Sequence, residues 1–117
     1  MKPEATACYL RTLRRRSGLS QRELAEVLGF HSETSVARHE RSITIPNLLT
    51  AIGYEVVFNV PATQIFPGLY DTVETGIEER LARMEEELQQ RSAKGRDAAA
   101  TARKLEFFCE RRNPEII

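Results

Sequence analysis

Ser20 and Glu23 stand three residues apart just ahead of an apolar run, and this pair dictates a helix start. A serine hydroxyl in that place accepts from the amide three residues on, while the glutamate reaches back to the serine's own amide. The helix it opens begins at about Gln21. Leu24, Val27 and Leu28 fall at i, i+3 and i+4, one apolar stripe, and Ala25 is small enough for a neighbouring helix to approach. Gly29 stops the helix, since glycine takes the left-handed conformation of a C-cap without strain. Gly29, Phe30, His31 and Ser32 form the turn, and Ser32 is placed to cap another short helix from Glu33 to about Glu40, with Glu33 at the positive end of its dipole. Val36 and His39 share the inner face of that helix. Glu33, Thr34, Ser35, Ala37, Arg38 and Arg41 point outward or to its flanks.

Two short helices at a fixed angle, the second showing small, polar and cationic groups, form a surface suited to reading DNA. The run Leu19, Ser20, Gln21, Glu23, Leu24, Ala25, Leu28 and Gly29, followed by Val36, Ala37, Arg38, His39, Glu40 and Arg41, resembles the Xre-type, lambda-repressor-like helix-turn-helix family of bacterial transcription regulators. The resemblance covers about Cys8 to Tyr70. It implies a bundle of five helices whose third enters the major groove. It further implies that Glu33, Thr34, Ser35 and Arg38 meet base edges, while Gln21 and Arg41, with Arg14 and Arg15 of the first helix, hold the backbone. Arg22 and Ser32 complete the expected DNA-binding set. The sequence departs from the family at two places: the turn between Gly29 and Val36 is one residue longer than the usual pattern, and Ser42 stands where the family often has glycine. Glu33, often neutral or basic in the family, could accept a hydrogen bond from a cytosine amino group but would also repel phosphate.

A net charge of zero over 117 residues argues, on its face, against nucleic-acid binding. The distribution reverses the inference. Residues 1–45 carry a net +3, residues 46–90 a net −6 and residues 91–117 a net +3, so a local basic face coexists with a neutral total. Apolar residues at 41% suffice for a core, and no apolar run is long enough to span a bilayer. The two cysteines, Cys8 and Cys109, and the two histidines, His31 and His39, show no metal-ligand spacing, and a cytoplasmic chain with reduced thiols and no cleavable signal is expected.

Ahead of the central motif, a first helix is expected from about Thr6 to Arg16, with Leu10 and Leu13 inward and Arg11, Arg14, Arg15 and Arg16 outward. The Arg14-Arg15-Arg16 run has two readings, phosphate contact or a solvated helix end where cations are stabilising anyway. His39 reads as a packing residue and His31 as a surface histidine. After Arg41 the chain is extended up to Pro46. Asn47 then caps a fourth helix whose Leu48, Leu49, Ile52, Val56 and Val57, with Tyr54 and Phe58, are expected to close the core; Gly53 within it permits close packing. Pro61 opens a short fifth helix through Ile65. Phe66, Pro67 and Gly68 end it, and Ile65, Phe66, Leu69 and Tyr70 are expected to cover the bottom of the bundle.

From Leu69 to about Ser92 the spacing of Leu69, Val73, Ile77, Leu81, Met84 and Leu88 predicts one long helix with a narrow apolar seam. Glu85, Glu86 and Glu87 read as its solvated side. Ser92 to Gly95 is a break, after which Asp97 caps a last helix to about Arg112. The division expected is a DNA-binding domain over 1–68 and a C-terminal helical arm over 69–117. The arm folds back on itself, packs on the bundle or joins two protomers.

The fold class is therefore all-α, a five-helix bundle with a C-terminal extension of one long and one final helix. There is no glycine-rich phosphate loop, no nucleophile with a base at motif spacing and no paired-carboxylate signature, so neither an enzyme nor a cofactor is expected. The function expected is a sequence-specific regulator of transcription on duplex DNA, a repressor and a homodimer. The other reading is an antitoxin-like or adaptor protein whose C-terminal helices bind a protein partner.

Overall fold

The structure, a computed structural model, describes residues 8–91 and 96–114, and for Arg96 the backbone alone. Among these residues there are only helices and connecting turns: α1 Leu10–Arg16, α2 Gln21–Leu28, α3 Thr34–Glu40, α4 Leu48–Phe58, α5 Ala62–Ile65, α6 Pro67–Gln90 and α7 Arg96–Arg112. None of these helices is long and apolar enough to cross a membrane. The chain divides into two compact units, residues 1–74 and 75–117.

In the first unit the local rules written in the sequence are carried out bond by bond. Ser20 Oγ accepts from the Glu23 amide at 3.0 Å and Glu23 Oε1 from the Ser20 amide at 2.9 Å, a complete capping box. Those Ser20 hydrogen bonds hold the exposed Glu23 carboxyl below its ordinary pKa. Gly29 closes α2 at φ +83°, and Asn47 Oδ1 caps α4 by accepting from the Thr50 amide at 2.9 Å. Ser32 Oγ lies 3.4 Å from the Thr34 amide, but the residue preceding α3 is Glu33, which makes no side-chain cap. Beyond α3 the Ser42 amide bonds the His39 carbonyl and the Ile43 amide the Arg38 carbonyl, at 3.2 and 2.9 Å. This is the double closure of a Schellman motif, which needs a left-handed residue between. Ser42 supplies it at φ +57°, where a glycine would avoid a strain of about 1 kcal/mol.

Several boundaries differ from expectation: α3 starts at Thr34 and not at Glu33, and α7 at Arg96, which puts Asp97 inside its first turn and not at its cap. Thr6 lies outside the described residues, but α1 starts at Leu10 and not earlier, because the Tyr9 amide is taken by the Ile65 carbonyl at 2.8 Å, which pins the entry of the helix to α5. The long helix begins at Pro67, ahead of Leu69, with proline in the first turn where its missing N–H costs nothing. The break expected over Ser92 to Gly95 lies outside the described residues.

The core consists of Leu10, Leu24, Ala25, Val36, Tyr54, Ile65 and Phe66. A Cβ at Gly53 would stand 2.7 Å from Leu28 Cδ2, the tip of a flexible side chain, so a larger residue there would make Leu28 turn aside. The expectation that the apolar residues of α4 close the core is corrected. Tyr54 is buried and Val57 and Phe58 are half-buried, but Leu48, Leu49, Ile52 and Val56 are exposed. An eleven-residue helix with apolar groups on every side cannot turn them all toward one small core, and Tyr54 wins the inner place. Val27 of α2 is likewise exposed, as is Tyr70 at the start of α6.

His39 and Tyr54 meet inside this core, His39 Nδ1 to Tyr54 Oη at 2.8 Å with the rings edge to face. Burial pushes the Tyr54 hydroxyl above its ordinary range and the His39 imidazole below 6.5, so both are held neutral. The folded protein therefore resists a proton that the unfolded chain accepts. Stability on this account is complete above about pH 6.5 and is lost as pH falls through that value toward the depressed folded pKa. The expected result is a lower Tm at pH 5 than at pH 7.5, with a shallower fall in His39→Gln; identical slopes in the two proteins would remove His39 as the cause.

In the second unit Leu88 of α6 and Phe108 of α7 are buried, and Arg111 and Arg112 pair with Glu78 and Glu85, each at 2.6 Å. The Arg112 guanidinium holds the Glu85 carboxyl below its ordinary pKa. Of the expected seam in α6, only Leu88 is fully covered: Leu69 and Leu81 are half-buried, and Val73, Ile77 and Met84 are exposed.

Candidate nucleic-acid interface

The face α3 offers to solvent is set by what it hides. Val36 is fully buried and His39 is anchored on Tyr54, so rotation of the helix about its axis is excluded. Thr34, Ser35 and Arg38 are consequently exposed, with Glu33 and Ser32 at the start and Arg41 just past the end. Of the residues expected outward or on the flanks of this helix, Ala37 alone is half-buried. Arg38 enters no ion pair among the described residues.

At the C-terminal end of this face lies a polar junction of three helices. Arg14 of α1 reaches Glu40 of α3 through Nε to Oε2 at 2.5 Å and Nη2 to Oε1 at 3.2 Å, and its Nη1 donates to the Leu19 carbonyl at 2.9 Å. Gln21 of α2 donates from Nε2 to Glu40 Oε1 at 3.0 Å. The Glu40 side chain is only 2% exposed, so the carboxylate is satisfied inside the protein by a forked guanidinium and an amide. One acidic group thus fixes the positions of α1, α2 and α3.

This junction corrects the expectation that Arg14 points outward. Arg14 lies one turn after Leu10 on the same face, both are buried, and its charge is spent on Glu40. Arg11 takes the outward place. It is exposed beside a recess of about 240 Å³ whose other walls are Arg14, Gln21, Glu40 and Arg41. Since Arg14 already neutralises Glu40, the charges of Arg11 and Arg41 stand uncompensated at this recess. Arg15 is exposed outside the recess lining. Arg22 is exposed as well, 4.0 Å from Glu26, a solvated pair of little energetic weight. Arg11 is not among the contacts expected from the sequence. The signal for it was the i, i+4 relation of Leu10 and Arg14, together with the acidic partner in the Arg38 to Arg41 run.

The fold and the surface define a class: an all-α protein carrying two helices joined by a tight turn, the second held rigidly with a polar and cationic outer face. Residues 10–65 match the helix-turn-helix family model, and this segment belongs to the Cro/CI-like helix-turn-helix family, the domain of DNA-binding transcriptional regulators. No curated protein and no solved structure matches the chain.

Proposed function

We propose that the protein is a sequence-specific repressor that binds duplex DNA as a dimer, with α3 lying in the major groove. The observation that carries this reading is the division of α3 into a locked inner side, Val36 and His39, and an outer row of Thr34, Ser35 and Arg38. Arg38 has the reach and donor geometry for a guanine edge, and Thr34 and Ser35 can donate or accept at any base. Glu33, at the leading end, suits a cytosine amino group. Arg11 and Arg41, flanking the recess on which Gln21 is oriented, and Arg15 on the same helix as Arg11, are suited to phosphate. Ser32, just ahead of α3, and Arg22, exposed on α2, complete the proposed contacts. Arg14 acts here as a positioning residue through Glu40. Occupancy of an operator is enough to exclude a polymerase, which favours repression.

Selection of bound sequences from a random duplex pool at near-physiological salt tests this directly, because non-specific phosphate binding falls steeply with salt while specific binding survives. The expected product is an inverted repeat with half-sites about 10 base pairs apart, or a multiple of that spacing. Failure to enrich any sequence with folded protein would transfer weight to the second reading, a protein partner bound through the C-terminal helices. The exposed Val73, Ile77, Met84 and Phe107 are what favour that reading.

A further inference from the structure

The outward side of α4 is more apolar than a solvent-facing helix should be. Leu48, Leu49 and Val56 are 75%, 81% and 75% exposed and Ile52 is 46% exposed, and at 100° per residue the four lie within an arc of about 100°. Val27 of α2 and Ile45 of the preceding link add to the exposed apolar surface. A hollow of about 540 Å³ between α2 and α4 is lined by Val27, Leu28, Phe30, Leu49, Gly53 and Val56 among others. Together the six exposed side chains present on the order of 700 Å², above the few hundred Å² that a monomer ordinarily shows and close to the about 800 Å² each partner contributes to a stable interface.

We infer that this face binds the same face of a second copy of the chain, so that α4 is the dimer helix. Charge selects the occupant. Among Leu48–Phe58 only Glu55 ionises, and its carboxylate is turned to the Ala62 amide at 2.9 Å. The one carboxylate at the rim of the face is thus held toward α5, so the face offers little for a basic or acidic partner to recognise and sets few like charges against each other when it meets itself. Shape agrees with charge. A two-fold axis at Ile52 sets Leu48 of one copy against Val56 of the other, so a projecting leucine meets the hollow that Val56 lines, twice. The exposed apolar side chains of α6 are interspersed with Glu74, Glu78, Glu79, Arg80 and Arg83 and lack this property.

The inference stands apart from the reading of α3 and is tested without DNA. Sedimentation equilibrium of the full chain should give a dimer, and Leu49→Glu/Ile52→Glu should weaken the dimer about thirtyfold or more, the scale of losing a central interface anchor, while its far-ultraviolet dichroism stays that of the parent. Leu48→Lys, at a site 75% exposed, provides a change that the monomer fold tolerates and should act in the same direction. Ile77→Glu in α6 should leave the dimer intact. A monomeric parent, a dimer unaffected by the α4 variants, or a dimer lost in Ile77→Glu alone would each overturn the assignment. Absence of operator enrichment with an intact α4 dimer would defeat the DNA reading and leave this one standing.

Discussion

Glu40→Ala is expected to cost about 3–5 kcal/mol of folding stability, the largest effect of any single change considered for this protein, because it strands the buried Arg14 guanidinium without a counter-charge. The mutation also removes the acceptor of Gln21 Nε2, so α1 and α2 lose their common tie to α3 at once. A domain of this size has only about 5–15 kcal/mol to lose. Urea denaturation followed by helical dichroism measures the loss. The paired replacement Arg14→Met with Glu40→Ala should recover much of it, since removing both charges leaves no ion buried alone, whereas Arg14→Met by itself should stay destabilised. A loss below about 1 kcal/mol in Glu40→Ala would mean that water reaches the junction and that the pair is an ordinary surface bridge.

Arg38→Ala should weaken binding to the selected operator by about 1–3 kcal/mol and relax discrimination at one base pair per half-site, with little change in affinity for unrelated DNA. Arg41→Ala or Arg11→Ala should behave in the opposite manner, lowering affinity for every sequence and reducing the slope of log K against log salt by about one. The contrast separates base reading from phosphate holding in a single titration series. Equal affinity of Arg38→Ala and the parent across the selected and scrambled duplexes would take Arg38 out of the reading set.

The elements were legible because their signals are local. The Ser20–Glu23 box, Gly29 at φ +83° and Asn47 each act through amides within three or four residues, so the chemistry that ends or begins a helix is complete within the stretch of sequence that states it. Ser42 belongs with them: a non-glycine residue at a glycine position pointed to an unusual turn, and its φ of +57° is that turn. The outer face of α3 was legible for a related reason, since Val36 and His39 at i and i+3 define the inner side of a seven-residue helix and leave the rest outside.

The direction in which Arg14 points, and the face of α4 left uncovered, were decided elsewhere. Of three consecutive arginines, the helical period from Leu10 sets Arg14 on the inner side, but nothing local says that a charge can be buried there; Arg14 turns inward because Glu40, twenty-six positions away, is folded to within 2.5 Å of it. Leu48, Leu49, Ile52 and Val56 have the composition of core residues, but a helix can bury only the side that its neighbours reach, and α2 with α5 already fill that place around Tyr54. The order of the helices, the caps at Ser20, Gly29 and Asn47 and the class of the N-terminal domain followed from the sequence alone, because hydrogen bonds to nearby amides and the 3.6-residue period act over a few residues. The inward arginine, the Arg11 and Arg41 recess and the uncovered side of α4 came only with the tertiary structure, because burial is a competition among segments distant in the chain for one small volume of core.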